Sequence, residues 1–281
     1  MKQVLKKEDV LIEALPYIQQ FEEKTFVIKY GGAVMEDENL KSSIAQDVTL
    51  LRKIGINVVV VHGGGKEITS LSSKLNIDTK FVNGQRYTDE ATRDVMQMVL
   101  AGSINKDIVR RINIHGGRAV GLSGIDAGFV KVKKYEKEDL GLVGEVVDVN
   151  PAIVKNLLRE GYLPVIAPIG VDESGTVYNV NADIAAGSIA GALEAAKLVY
   201  ITDTEGVKSK EGLIPHLTKE DAEKFISDGT IGGGMIPKVE SALSALESGV
   251  QKVHVIDGRV EHALLLEIFT KEGVGTEIVP E

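Results

Sequence analysis

The 281-residue chain contains no cysteine, which excludes disulfides, thiolate metal sites and a cysteine nucleophile. No apolar run approaches the roughly 18–20 residues that a membrane span requires. The opening MKQVLKKEDVLIEALP interrupts its apolar pattern with acids, unlike a signal peptide. Positive charge is also in short supply: the net charge is −9, whereas a protein that tracks a nucleic-acid backbone normally carries a basic face. The phosphate-loop spacing GxxxxGK followed by Ser or Thr is missing throughout, and the first strand lacks the GxGxxG of a nicotinamide-binding oxidoreductase. No proline- or serine-rich linker divides the chain. These absences leave a cytoplasmic enzyme acting on small molecules, with no membrane or nucleic-acid partner, as the default expectation.

What is present is an apolar, glycine-punctuated alternation. Hydrophobic residues make up 43% of the chain, enough for one large domain or two joined lobes. The segment 11-LIEALPYIQQF-21 has helical spacing, and Pro16 is expected to end or bend it. Strands follow at 25-TFVIKY-30, 56-INVVVV-61, 163-LPVIAPIG-170, 197-KLVYIT-202 and, last, 252-KVHVIDG-258, with helices between and after them. Fully apolar runs suit strands buried on both faces of a parallel sheet. The fold class predicted is α/β, a three-layer α/β/α sandwich with a mostly parallel central sheet. Residues 118–149 show short alternating segments and read as a β-rich insertion beside the main sheet.

Glycine clusters stand at the strand ends: 31-GG-32, 63-GGG-65, 203-DTEG-206 and 232-GGGMIPK-238. Each is either a flexible turn or a backbone opened so that amides meet an anion. Lys29 lies within an apolar strand, where it is costly to bury unless paired; the alternative is a strand-edge lysine reaching water. Lys238 follows Pro237 in what reads as the first turn of a helix, where a cation opposes the helix dipole unless an anion compensates. In 178-YNVNADIAAGSIAGAL-193, Asn179, Asn181 and Asp183 precede a small-residue helix. Capping by Asn181 or Asp183 is one reading, and ligand binding is another compatible with it. Arg86, in 83-NGQRYTDEAT-92, is a surface ion-pair partner or a planar fork for a carboxylate.

VIKYGG, VVVVHGGG, NGQRYT, YNVNADIAA, ITDTEGV and GGGMIPK occur together in the order found in the amino acid kinase family. The chain resembles that family over nearly its whole length, most of all the branch that phosphorylates N-acetyl-L-glutamate in arginine synthesis. The resemblance implies an N-lobe for the amino-acid substrate over residues 23–175 and a C-lobe for ATP over 176–281, preceded by an oligomerisation helix over 1–22. It implies that Lys29 and Lys238 stabilise the transferring phosphoryl group and that Asp183 organises them. Gly64 and Gly65 would receive the substrate with their amides, Arg86 would pair with its α-carboxylate, and Asn179 and Asn181 would lie against it. Gly31, Gly32, Asp203, Gly206, Gly233, Gly234 and Met235 would line the nucleotide pocket. ATP with Mg²⁺ is the implied co-substrate, with no protein-held metal. A carboxylate attacking ATP brings two anions together, so charge neutralisation and alignment are the main requirements, and no general base is needed. His62, beside the glycine turn, is therefore not assigned a catalytic role.

Similar kinases that are inhibited by arginine carry an extra N-terminal helix that interlaces dimers into a hexamer, and a C-terminal segment like 254–278. The resemblance thus implies a homohexamer and an arginine effector site with Tyr17, Glu267 and Gly275 as candidates. Some similar enzymes also bind a trimeric nitrogen-signalling regulator. A kinase for a carrier-protein-linked aminoadipate or glutamate is the nearest rival, although a basic rim would suit that substrate better than this acidic chain. A non-catalytic arginine or nucleotide sensor is the rival from another class.

Overall fold

The computed structural model describes residues 7–209, 212–270 and 273–281, so residues 1–6 of the expected N-terminal element lie outside the described residues. Helix α1 (Lys7–Phe21) leads into β1 (Thr25–Tyr30), a 3₁₀ turn (Gly32–Met35) and α2 (Glu38–Lys53). Strand β2 (Asn57–His62) passes through the glycine turn into α3 (Gly65–Lys74). A hairpin of β3 (Lys80–Val82) and β4 (Gln85–Tyr87) precedes α4 (Glu90–Gln97). That helix continues through a π-helical stretch (Met98–Ile104) into α5 (Asn105–Ile114). Next come β5 (Ala119–Ser123), β6 (Val130–Lys134), β7 (Gly144–Val149) and α6 (Ala152–Arg159). Strands β8 (Leu163–Ala167), β9 (Ile169–Val171) and β10 (Val177–Asn179) run up to α7 (Ala182–Ala192). The C-terminal third holds β11 (Lys197–Thr202), β12 (Lys208–Ser209), β13 (Gly212–Leu213), β14 (His216–Thr218) and α8 (Lys219–Ser227). It closes with α9 (Ile236–Glu247), β15 (Val253–Asp257), α10 (Ala263–Phe269) and β16 (Thr276–Val279).

Eight strands form the central sheet in the order β14–β16–β15–β11–β1–β2–β8–β5. Every neighbouring pair in it is parallel except β15 with β16. Alternation along the strands divides the core. Phe26, Ile28, Tyr30, Val58 and Val60 pack with α2 and α5 on one face. Val27, Val59, Val61, Leu198 and Tyr200 pack with α7 and α9 on the other. Both faces are buried, as the apolar runs predict, and the result is the expected α/β/α sandwich. Among the described residues no helix is long and apolar enough to cross a membrane.

Four expectations need correction. The 118–149 segment is not wholly an insertion: β5 is the edge strand of the central sheet, and only β6 and β7 join the separate four-stranded sheet with β9 and β10. The apolar run 163–170 is two strands, because the chain leaves the central sheet around Pro168 and enters the second one as β9. The strand at 252–258 is not the last, since β16 follows and inserts between β15, to which it is antiparallel, and β14, to which it is parallel. Helix α1 runs through Pro16 rather than ending there. The proline removes one N–H donor, and packing of Tyr17 and Phe21 on the core keeps the helix in place.

Small residues let α7 lie close to α9. A Cβ on Gly187 would stand 3.5 Å from Ala245 Cβ, and one on Gly191 only 2.6 Å from Ser248 Cβ. Gly191→Val is therefore expected to destabilise the fold by about 1–3 kcal/mol through overpacking. A urea-unfolding midpoint equal to that of the parent chain would show that α7 can move aside.

Candidate active site

The lysine in β1 is buried and paired. Lys29 Nζ lies 2.9 Å from Asp183 Oδ1, and Lys238 Nζ lies 3.3 Å from Asp183 Oδ2. The chain builds this trio from three elements. Lys29 sits on the face of β1 opposite Ile28 and Tyr30. Asp183 opens α7, whose cap is the Asn181 side chain accepting from the Asp183 and Ile184 amides. Lys238 stands in the first turn of α9, with Pro237 at the helix start. Burial pushes the Asp183 carboxyl up, but the two ammonium groups outweigh it and hold it below the usual carboxylate range. Tyr200 fixes the spacing of the two helices: its hydroxyl donates to the Asp183 carbonyl at 3.3 Å and is 2.9 Å from Ser241 Oγ on α9.

A cleft of about 270 Å³ adjoins the trio, lined by Gly63, Gly64, Gly65, Arg86, Asn179 and Asn181 among others. The glycine turns that follow β1 and β2 are joined by the Gly63 amide, which donates to Tyr30 O at 2.8 Å. Gly64 is required sterically, because a Cβ there would stand 2.6 Å from Leu100 Cδ2 and 2.4 Å from Ile104 Cδ1. Helix α3 starts at Gly65 with no side-chain cap, leaving its first amides open. Arg86 Nη2 donates to Gly65 O at 2.7 Å and to Thr69 Oγ1 at 2.8 Å, with the guanidinium over the Phe81 ring. Its Nη1 is buried without a partner, an unmet donor on the wall of the cleft. Asn179 donates to Thr88 Oγ1 at 3.3 Å. His62 is fully buried, with Nδ1 2.8 Å from Gly63 O and Nε2 3.3 Å from Asn105 Nδ2. Burial lowers its pKa to about 4, so it is a neutral brace for the turn at physiological pH.

The residues expected around a nucleotide divide into two groups. Gly31 lies against Lys29, Gly32 takes φ +76°, and Gly233, at φ +57°, and Gly234 are exposed ahead of α9, which also lacks a side-chain cap. Met235 is half-buried against the α7–α9 core. Asp203 is exposed just after β11, within electrostatic reach of Lys66 and Arg259. Gly206, by contrast, is buried: a Cβ there would meet Leu213 and Thr276 Oγ1, each at 2.7 Å. It shapes the loop from inside. Among the described residues no cluster of three or more His, Cys, Asp or Glu side chains forms a metal site.

Residues 24–257 match the sequence profile of the amino acid kinase family. The chain belongs to that family. It is 55% identical to the acetylglutamate kinase of Aquifex aeolicus across the whole of both chains. It is 57% identical to that of Chlorobaculum parvum, over 97% of this chain and 91% of the relative. Among solved structures, the N-acetylglutamate synthase of Neisseria gonorrhoeae with coenzyme A and N-acetyl-glutamate matches 99% of this chain and 64% of its own, with TM-score 0.88 and 27% identity. The same synthase with coenzyme A and L-arginine matches with TM-score 0.83 and 25% identity, over 99% of this chain and 66% of its own.

A second polar cluster in this amino acid kinase lies at the opposite end of the sheet, where β11 and β15 begin. Lys197 Nζ is 2.7 Å from His254 Nε2, and His254 Nδ1 is 2.6 Å from Glu267 Oε1. The lysine can only donate, so Nε2 accepts and Nδ1–H donates to the carboxylate. Glu267 Oε2 also accepts from the amides of Val274, at 2.7 Å, and Gly275, at 3.2 Å. Glu267 is therefore neither solvated nor free, as a simple surface glutamate would be. Burial pushes its carboxyl up, but His254 and the two amides hold it below the usual range. Gly275 is tightly packed, since a Cβ would sit 2.2 Å from Val255 O. Tyr17 is half-buried on α1, which rests on α10, the helix carrying Glu267. Sequence reasoning missed Lys197, His254, Tyr200 and Ser241. The signal that singled out Lys29, a lysine in an apolar strand, was equally present at Lys197.

Burial lowers Lys197 from the ordinary 10.5 to about 8. The unfolded chain then holds a proton that the folded chain releases between those values, so this residue makes stability rise with pH from about 8 to about 10.5. Lys197→Met is expected to flatten that rise in urea unfolding at about pH 7 and about pH 10. A rise of the same size in the variant would assign it to other groups.

Proposed function

We propose that this protein transfers the γ-phosphoryl group of ATP to the side-chain carboxylate of N-acetyl-L-glutamate, forming an acyl phosphate in arginine biosynthesis. Identity of 55–57% to acetylglutamate kinases over nearly the whole chain supports the substrate and the reaction. The observation that carries the chemistry is the Lys29–Asp183–Lys238 trio beside the cleft. In this reading Asp183 holds two ammonium groups where negative charge develops on the phosphoryl oxygens, and the nucleophile, already a carboxylate, needs no base. The buried neutral His62 accords with that economy. The unpaired Arg86 Nη1 takes the substrate α-carboxylate, the open amides at Gly64 and Gly65 take the reacting carboxylate, and Asn179 and Asn181 complete the wall. The turns at Gly31–Gly32 and Gly233–Met235, with Asp203, receive the nucleotide, and Mg²⁺ arrives on ATP as part of the substrate.

Feedback inhibition by L-arginine, a hexameric assembly and a cytoplasmic location belong to the same proposal. The buried Glu267 carboxylate beside Gly275 supports an effector site remote from the glycine turns, as does the arginine complex of the gonococcal synthase. An entering guanidinium would take that carboxylate over from His254, with Tyr17 on the neighbouring helix. Exposed Ile12 and Leu15 on α1, 69% and 45% accessible, support a trimer of dimers interlaced through this helix. A trimeric nitrogen-signalling regulator is a further partner to test by co-elution.

The reaction is tested by trapping the acyl phosphate with hydroxylamine in the presence of Mg²⁺ and ATP, with glutamate and aspartate as controls. Hydroxamate is expected with N-acetyl-L-glutamate alone and is expected to fall when L-arginine is added. Lys29→Ala and Lys238→Ala should each lower kcat by about 10²–10³-fold, the loss seen when one transition-state donor is removed. No hydroxamate from N-acetyl-L-glutamate would overturn the substrate assignment. Deleting residues 1–21 should convert hexamers to dimers by light scattering, and an unchanged mass would remove α1 from the assembly.

A further inference from the structure

Behind the substrate turn, on the α2–α5 side of the sheet, lies a separate cavity of about 200 Å³. Its body is aliphatic: Ala45 and Val48 come from α2, Ile104 from the π-helical stretch, and Ile108 and Ile112 from α5. An apolar cavity of about 150 Å³ is already large enough to hold benzene. The mouth carries Lys41, Glu67, Asp107 and Arg111. Most of these charges are satisfied: Lys41 pairs with Glu38 at 2.9 Å, and Arg111 reaches Asp107 and Glu38 at 2.7 Å each. The Glu67 carboxylate has no hydrogen-bond or contact ion-pair partner among the described residues, so its oxygens remain open to a donor, with Lys66 within electrostatic reach. In the wall, the Tyr30 hydroxyl is buried without a hydrogen-bond partner, and burial keeps that phenol protonated. Both oxygens can accept from a donor, and an unmet buried hydroxyl is a cost that a ligand can remove.

We propose that this cavity is a second ligand site, taking a compact apolar cation: one ring, or a short branched chain, bearing a single primary ammonium. The apolar body packs among Val48, Ile108 and Ile112, and the ammonium sits at Glu67 with Tyr30 within its reach. An anion meets an acidic mouth and a neutral analogue forgoes the Glu67 contact. The site also bears on the substrate turn. Ile104 lines this cavity, and its Cδ1 is one of the two atoms that a Cβ on Gly64 would meet. Leu100, which supplies the other, lines the substrate cleft from the same π-helical stretch. An occupant pressing on Ile104 therefore acts on the substrate turn and changes KM for N-acetyl-L-glutamate more than kcat. That effector role rests on the kinase reading above, whereas the binding itself does not.

Benzylamine, protonated at neutral pH, is the probe, followed by ligand-observed NMR on the full chain. Saturable binding is expected, and it should persist at saturating N-acetyl-L-glutamate and a non-hydrolysable ATP analogue. Glu67→Gln should weaken benzylamine several-fold, as for a partly exposed ion pair, and leave benzyl alcohol unaffected. Ala45→Leu fills the cavity and should abolish binding of both; Ile108→Phe replaces it if thermal unfolding shows that Ala45→Leu has not folded. No saturable binding, displacement by N-acetyl-L-glutamate, equal weakening of amine and alcohol by Glu67→Gln, or indifference to the filling variant would overturn the site. In the turnover assay benzylamine should shift KM at least about twofold, and an unchanged KM despite binding would overturn the effector role. The NMR arm needs no turnover, so an inactive preparation that still binds benzylamine counts against the kinase reading and not against the cavity.

Discussion

Two ammonium groups held on one carboxylate form the constraint around which this molecule is arranged. Lys29 and Lys238 repel each other and have left much of their water behind; Asp183 makes their proximity affordable. The carboxylate must stand between a central strand and the first turn of α9, so the relative position of β1, α7 and α9 has to be held closely. The Tyr200–Ser241 contact and the glycines of α7 hold it. Because the ion trio is only partly solvated, small shifts in its geometry change the local field strongly.

Helix ends show how the site was kept available. The helices α2, α4, α7 and α8 each begin with a side chain that accepts from their own amides: Asp37, Asp89, Asn181 and Thr218. The helices α3, α6, α9 and α10 have no such cap, and of these α3 and α9 begin at glycine-rich turns beside the lysines. A capping side chain on α3 would occupy its first amides and compete with an anion, so its absence leaves donors for a ligand. On α9 the Met235 and Ile236 amides already bond the Gly232 and Gly233 carbonyls and Pro237 has no amide, so that helix start offers the Lys238 ammonium instead.

Local pattern revealed much of this. Lys29 stood out because a lysine among Phe26, Val27 and Ile28 is expensive without a partner, and its partner proved to be Asp183. The Asn181 cap was visible because capping depends on a few adjacent residues. Long-range pairing left weaker marks. Nothing in KLVYIT signals that Tyr200 will reach Ser241, and β16 is short enough to read as a loop although it inserts between two other strands. Gly206 looked like its neighbours in the glycine-rich loops, but only the approach of Thr276 and Leu213 in three dimensions reveals that packing demands it. Glu267 was singled out for its charge, while the histidine that engages it and the lysine behind that histidine were hidden inside runs of strand residues.

Strand β11 begins at Lys197 and ends at Thr202, one residue before Asp203. It is hydrogen-bonded along both edges, to β1 and β15, and buried along its length. Such a strand behaves as a stiff rod of roughly 20 Å, with no slack to absorb a displacement locally. A change at the buried base would arrive at the Asp203 loop as a translation or tilt of the whole rod, carrying its two neighbours with it. The distance between the two ends of the sheet is thus a lever arm rather than an insulator.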